Sequence, residues 1–185
     1  MANRALASLG IDRRDLWVVV VLFVSSRLLY AALGLEFDAS TLPYYMQFID
    51  VELLRHRLLE SLWYYHANPP LLNLLAGVGL KVFGDHADLF FSVVFHALGA
   101  MLALTVYALT LRLSGAWQAA TLTTAVLVFS PSFVLYENWL MYSFPAAALL
   151  TISAWVLCRY LQTWQTKWCV GFFAVLAALL LTRSL

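Results

Sequence analysis

Apolar residues in this chain fall in long blocks rather than alternating: residues 16–35, 89–111, 117–136 and 140–158 are almost continuously hydrophobic, and a shorter run covers 168–181. Blocks of this length are membrane-spanning helices, because about 20 apolar residues cross the ~30 Å hydrocarbon layer. The pattern therefore predicts an all-α, polytopic membrane protein with about five transmembrane helices.

A sixth run, Pro70–Phe83, has only 14 residues, contains Asn73 and Lys81, and is bounded by Pro69 and Gly84. At about 1.5 Å per residue it reaches ~21 Å, too short to cross. The basic residues arbitrate. If this run stays at the surface, Arg4, Arg13, Arg14, Arg112, Arg159 and Lys167 all share one side, as the positive-inside bias requires; if it crosses, the last three fall on the wrong side. The N-terminus is thus expected in the cytoplasm, with residues 36–88 as a long external segment.

Within that segment Val51, Leu54, Leu58 and Leu62 recur at helical spacing across residues 50–64. Glu52, Arg55, His56 and Glu60 take the other faces as solvated pairs. This is an amphipathic helix lying in the interface plane, and Pro70–Phe83 reads as a second one. No repeat or Gly/Ser linker divides the chain, so residues 1–185 form one membrane domain.

Composition agrees. The chain is 63% hydrophobic and 11% charged, with a mean hydropathy of +0.82, which excludes a water-soluble globule. A net charge of +1 offers no nucleic-acid footprint. Cys158 and Cys169 make neither a zinc spacing nor a disulfide framework. The first apolar run is too long for a cleaved signal and has no small-x-small site, so it is a retained anchor. A short, loop-poor chain of this kind points to the bacterial inner membrane. P-loop, dinucleotide, zinc-protease and nucleophile-elbow motifs are absent from the sequence.

Few residues remain to carry chemistry. Asp38 follows the first span by three residues, placed to act at the membrane surface or to serve as an ordinary interfacial acid. Glu137, the sole acid beyond Asp88, lies in the external turn 130–139. There it must hydrogen-bond, bind a cation or stay wet. Five spans put Asp38 and Glu137 on one face, which makes them candidates for a shared catalytic site. Asp50 is a third candidate, although it stands where a helix N-cap is needed.

Candidate substrate contacts are His66 and Asn68 on a corner stiffened by Pro69 and Pro70. Arg27, inside the first span, either snorkels outward or reaches an anionic headgroup or phosphate. Tyr44 and Tyr45 either stack on a sugar ring or join Trp63, Tyr64 and Tyr65 in an interfacial belt. His96 reads as a helix-to-helix hydrogen bond.

The order of these features resembles the N-terminal part of the GT-C membrane glycosyltransferases, in the branch of the protein O-mannosyltransferases and the lipid A aminoarabinose transferase. The likeness runs from Leu16 to Leu185: an anchor helix, an external acid, an amphipathic helix, the Pro-Pro corner before Leu71-Leu72-Asn73-Leu74-Leu75, Phe83-Gly84, two spans, Ser130-Pro131 and a second external acid. It implies transfer of a sugar from a polyprenyl-phosphate donor to an acceptor hydroxyl on the outer face. Asp38 would be the general base and Glu137 would position the acceptor or hold a divalent cation at the departing phosphate.

The family's first acid is commonly followed by another, whereas Ala39 follows Asp38 here, which keeps Asp50 open as the base. The basic or His residue usually sits close to the first proline; here His66 is three positions before Pro69 and Asn68 is adjacent. Family members are several times longer, so the chain reads as an N-terminal fragment expected to be inactive alone. The alternative is a small membrane carrier or assembly subunit whose acids line a water-filled vestibule.

Overall fold

The computed structural model describes residues 11–44, 47–65 and 68–183. Its helices are α1 (Arg13–Ala32), α2 (Val51–His56), α3 (Leu58–Tyr64), α4 (Pro70–Phe83), α5 (Ala87–Ser114), α6 (Trp117–Phe129), α7 (Pro131–Glu137), α8 (Ser143–Thr163) and α9 (Thr166–Thr182), with a 3₁₀ turn over Gly84–His86. No strand occurs among the described residues.

Three helical stretches are long and apolar enough to cross a membrane: α1, the run that ends in α5, and α8. A fourth is added if α6 and α7 count together, although they are bent by 60° where one continuous span was expected. The bend falls at Ser130–Pro131, because Pro131 has no amide hydrogen to extend α6 and serves instead as the first residue of α7. The expected fifth span corresponds to α9, whose 17 residues fall below spanning length.

Contacts sort the helix ends into two groups. At one end the Tyr107 hydroxyl donates to Asp15 at 2.8 Å, the Arg14 guanidinium lies 4.8 Å over the Trp117 ring, and Arg112 donates to Gln162 at 2.5 Å. The start of α1, the α5–α6 junction and the α8–α9 junction therefore come together. Arg13, Arg14, Arg112, Arg159 and Lys167 all belong to these segments, the grouping that charge asymmetry demanded; Arg4 lies outside the described residues. The other end carries residues 36–44 and the segment 138–142.

The stretch Pro70–Phe83 is helical over the predicted residues, but it is not a polar-faced helix skimming a surface. After Phe83 the chain reverses through Gly84, whose φ of 53° suits glycine, and α4 folds back along the first half of α5. Phe83 stacks on Phe90 at 4.7 Å, and a Cβ at Gly79 would run into Phe90 and Phe91. Leu72, Ala76 and Leu80 are buried, while Leu74, Val78 and Val82 are exposed, so α4 carries apolar side chains on its outer face as well as its buried one. Asn73, fully buried, explains the polar residue in this run. Its Oδ1 accepts from the Ile49 amide at 2.8 Å and its Nδ2 donates to the carbonyls of Gln47 and Pro69.

The single amphipathic helix expected over 50–64 is two short helices, because Arg57 leaves helical geometry at φ −129° and ψ 42°. The apolar spacing still does its work. Leu54 and Leu58 are buried, with Leu58 against Gly77 of α4, while Leu59 and Trp63 remain exposed. Asp50 caps α2, accepting from the amides of Glu52 and Leu53. Glu52 and His56 approach each other on its exposed side.

Candidate active site beside a buried ion pair

Residues 38–41 are tied to 138–140 by the backbone. The Asp38 amide donates to the Asn138 carbonyl at 2.7 Å, and the Leu140 amide donates to the Asp38 carbonyl at 3.0 Å, forming an isolated parallel bridge opposite Trp139. The Thr41 hydroxyl adds a bond to the Leu140 carbonyl at 2.9 Å. Asp38 and Glu137 are thus brought to the same end of the bundle, on strands of chain that touch.

Their side chains differ completely. Asp38 is exposed. Hydrogen bonds from the Ser40 hydroxyl and the Ser40 amide stabilise its charged form and hold its carboxyl below the usual carboxylate value. Glu137 ends α7 rather than standing in an open turn, and it is fully buried. Its carboxylate forms an ion pair with the Arg27 guanidinium. The other oxygen faces Gly99 on α5, where a Cβ would overlap it.

Arg27 accordingly turns inward instead of snorkelling to headgroups. Its side chain is 11% exposed. It donates to Ser26 Oγ at 2.8 Å and to the Val128 carbonyl at 3.1 Å, and it lies 4.1 Å over Phe23 and 5.1 Å over Phe133. The reason lies in the broken helix. Interruption at Ser130–Pro131 leaves carbonyls in the last turn of α6 without helical donors. Ser26 donates to Val128 at 2.5 Å and Tyr30 donates to Phe129 at 2.9 Å, so α1 supplies what the break removed. A cation there also answers the negative ends of two helices, α6 and α7.

An aromatic column joins the two acids. Phe37 meets Phe95 edge-on at 5.6 Å, Phe95 lies 6.1 Å from Phe144, and Phe144 is 5.3 Å from Phe133, which faces Arg27. Alongside it runs a groove of about 550 Å³ between α5, α6, α7 and α8. Ser130, Ser132, Tyr136 and Ser143 give it hydroxyls, while Leu102, Val106, Leu127 and Ala147 are apolar.

The remaining sequence candidates are scattered. Asp50 is committed to capping α2. Asn68 is half-buried, its amide donating to the Tyr65 carbonyl. Tyr44 is 88% exposed. Tyr45 and His66 lie outside the described residues. His96 bonds to Ser92 within its own helix rather than to a neighbouring one. Among the described residues no three His, Cys, Asp or Glu side chains gather as metal ligands. Ser26, Tyr30 and Gly99 were not anticipated, although a Ser-Arg pair inside an apolar helix was a visible signal.

Comparison with protein-family models, with curated proteins and with solved structures gives no match.

Proposed function

We propose that this chain is the N-terminal portion of a GT-C-like membrane glycosyltransferase, passing a sugar from a polyprenyl-phosphate donor to an acceptor hydroxyl at the outer face. Five passes with the N-terminus in the cytoplasm of a bacterial cell complete this reading. The observation that carries it is the fixed position of Asp38: an exposed, ionised carboxylate whose peptide is clamped on both sides to residues 138 and 140. A base held this way keeps its place as an acceptor arrives. Asp38 would take the acceptor proton as oxygen attacks the anomeric carbon, and the lipid phosphate would leave from the opposite face. General base catalysis of this type contributes about 10²- to 10⁴-fold.

The role of Glu137 changes. With Arg27 as its partner it is a positioning residue: it anchors α7, from which the segment holding Asp38 emerges. The sealed pair also argues against acids lining a wet vestibule.

The test is sugar transfer from a labelled polyprenyl-phosphate donor, measured in membranes expressing a full-length version, in which this chain is the N-terminal portion, with and without Asp38→Asn. Transfer should disappear while insertion and abundance stay unchanged. Wild-type turnover would remove Asp38 from the role, and the same assay on Asp50→Asn would then show whether the other acid holds it.

A further inference from the structure

The groove between α5, α6, α7 and α8 holds hydroxyls that the fold leaves unused. Elsewhere a helical hydroxyl bonds back to a carbonyl of its own helix: Thr105 donates to Met101, Thr151 to Ala147, Thr163 to Arg159 and Thr182 to Ala178. That bond is how a helix away from water hides such a group. Ser130, Ser132 and Ser143 lack the option. Ser130 joins α6 to α7 with extended backbone, at ψ 126°. Four residues behind Ser132 stands the Val128 carbonyl, which Ser26 and Arg27 already occupy. Ser143 is the first residue of α8, with no helical carbonyl behind it. Among the described residues these three hydroxyls make no hydrogen bond. All three line the groove of about 550 Å³, and Tyr136 adds a fourth hydroxyl.

The groove is polar at one end only. Its hydroxyls gather toward the outer end of the bundle, where the Tyr136 ring lies 6.1 Å from Trp139, the residue opposite Asp38 in the backbone bridge. From Ser143 to Thr151 it follows α8 for eight residues, or ~12 Å. Along that length the walls are Leu102, Val106, Leu127 and Ala147, and the Thr151 hydroxyl is turned to its own helix. Val126, Leu135 and Leu150, on the helices that flank the opening, are exposed. The approach is therefore apolar, and an occupant enters from the bilayer rather than from water.

Charge selects the class of lipid. Among the described residues no Asp, Glu, Lys, Arg or His lines the groove. Arg27 lies behind Phe133, and its guanidinium is committed to Glu137, Ser26 and the Val128 carbonyl. A phosphate, that of the proposed sugar donor included, would lose water here without meeting a cation. Serine and tyrosine hydroxyls instead donate to ester carbonyls and accept from an alcohol. We propose that this groove binds an uncharged glycerolipid, diacylglycerol in its simplest form. Its ester and hydroxyl oxygens would meet Ser130, Ser132, Tyr136 and Ser143, and an acyl chain would lie along Leu102, Val106, Leu127 and Ala147. The site stands independently of the transfer reaction proposed above.

Native mass spectrometry of the full chain, released from polyoxyethylene-ether micelles holding equal diacylglycerol and phosphatidylglycerol with the same acyl chains, tests this. The wild-type chain should retain diacylglycerol over phosphatidylglycerol on the order of tenfold. Ser132→Ala with Ser143→Ala removes two hydroxyls that hold nothing in the fold, and should cut that preference to about threefold or less. Ala147→Phe, at an exposed position, fills the apolar part of the groove and should lower diacylglycerol retention about tenfold. Ser114→Ala, at the opposite end of α5, should change retention by less than about twofold. Equal retention of the two lipids by the wild type, or a preference for phosphatidylglycerol, would overturn the proposal. So would an unchanged preference in the serine double variant, unchanged retention in Ala147→Phe, or an equal loss in Ser114→Ala. Retention that survives excess glycerol supports a lipid, whereas displacement by glycerol would overturn that assignment in favour of a soluble polyol.

Discussion

Arg27 and Glu137 pair within the helix bundle, one from the upper part of α1 and the other from the last residue of α7. Neither charge has an alternative. Five residues, or ~8 Å of helix, separate Arg27 from the end of α1, and Glu137 has no exposed surface. The pair closes the gap at the broken helix and fixes the base of the segment that holds Asp38.

Breaking the pair from one side should be severe. Arg27→Leu or Glu137→Leu leaves an uncompensated charge and should cost about 3–5 kcal/mol of stability. Arg27→Leu combined with Glu137→Leu should recover most of that loss. Thermal unfolding in detergent, followed by circular dichroism, measures all three; a double variant as unstable as the singles would mean that the charges do not act as a pair.

The bonds from α1 to the broken helix make a smaller, separate contribution. Ser26→Ala removes a buried donor to the Val128 carbonyl and should cost about 1 kcal/mol. Pro131→Ala should cost less, since an alanine at the first turn of α7 takes the same conformation. The same unfolding assay ranks the two, and the opposite order would show that proline, not α1, maintains the bend.

Docking of α3 on α4 depends on the missing side chain at Gly77. Gly77→Ala places a methyl into Leu58 and should destabilise by about 1–3 kcal/mol. With Leu58→Ala already present, Gly77→Ala should be nearly neutral. Additive effects in this double-mutant cycle would show that the two residues are not in contact.

Asp38 sets the acidic limb of the proposed activity. Its folded pKa lies below the ordinary value of 3.8, so the charged form, and any stability it brings, is present above the unfolded value and lost as pH falls through the lowered folded one. Transfer limited by this group should stay flat from neutrality down past pH 5. Ser40→Ala removes the hydroxyl bond and should move the acid limb upward in a pH–rate profile; an unmoved limb would assign it to another group.

The helices were legible from apolar block length because a span must bury its backbone polar groups within itself. Pro70–Phe83 could be bounded to the residue for a local reason, a proline at one end and a glycine at the other. Its attitude could not, because standing along α5 depends on Gly79 meeting Phe90 and Phe91. The same limit applied to Arg27 and Glu137. Each was recognisable as expensive where it stood, but a sequence does not show that two costly charges cancel one another. The split at Arg57 left no mark in the apolar spacing, since Leu54 and Leu58 keep their contacts on either side of it.

The ion pair also bears on how the chain is made. Synthesis reaches Glu137 only 110 residues after Arg27, an interval of about 5–20 s at ordinary elongation rates. Throughout that time α1 has left the ribosome with a guanidinium it cannot yet neutralise. The partner that offsets the cost of placing Arg27 inside the bundle is therefore supplied only by the second half of the chain.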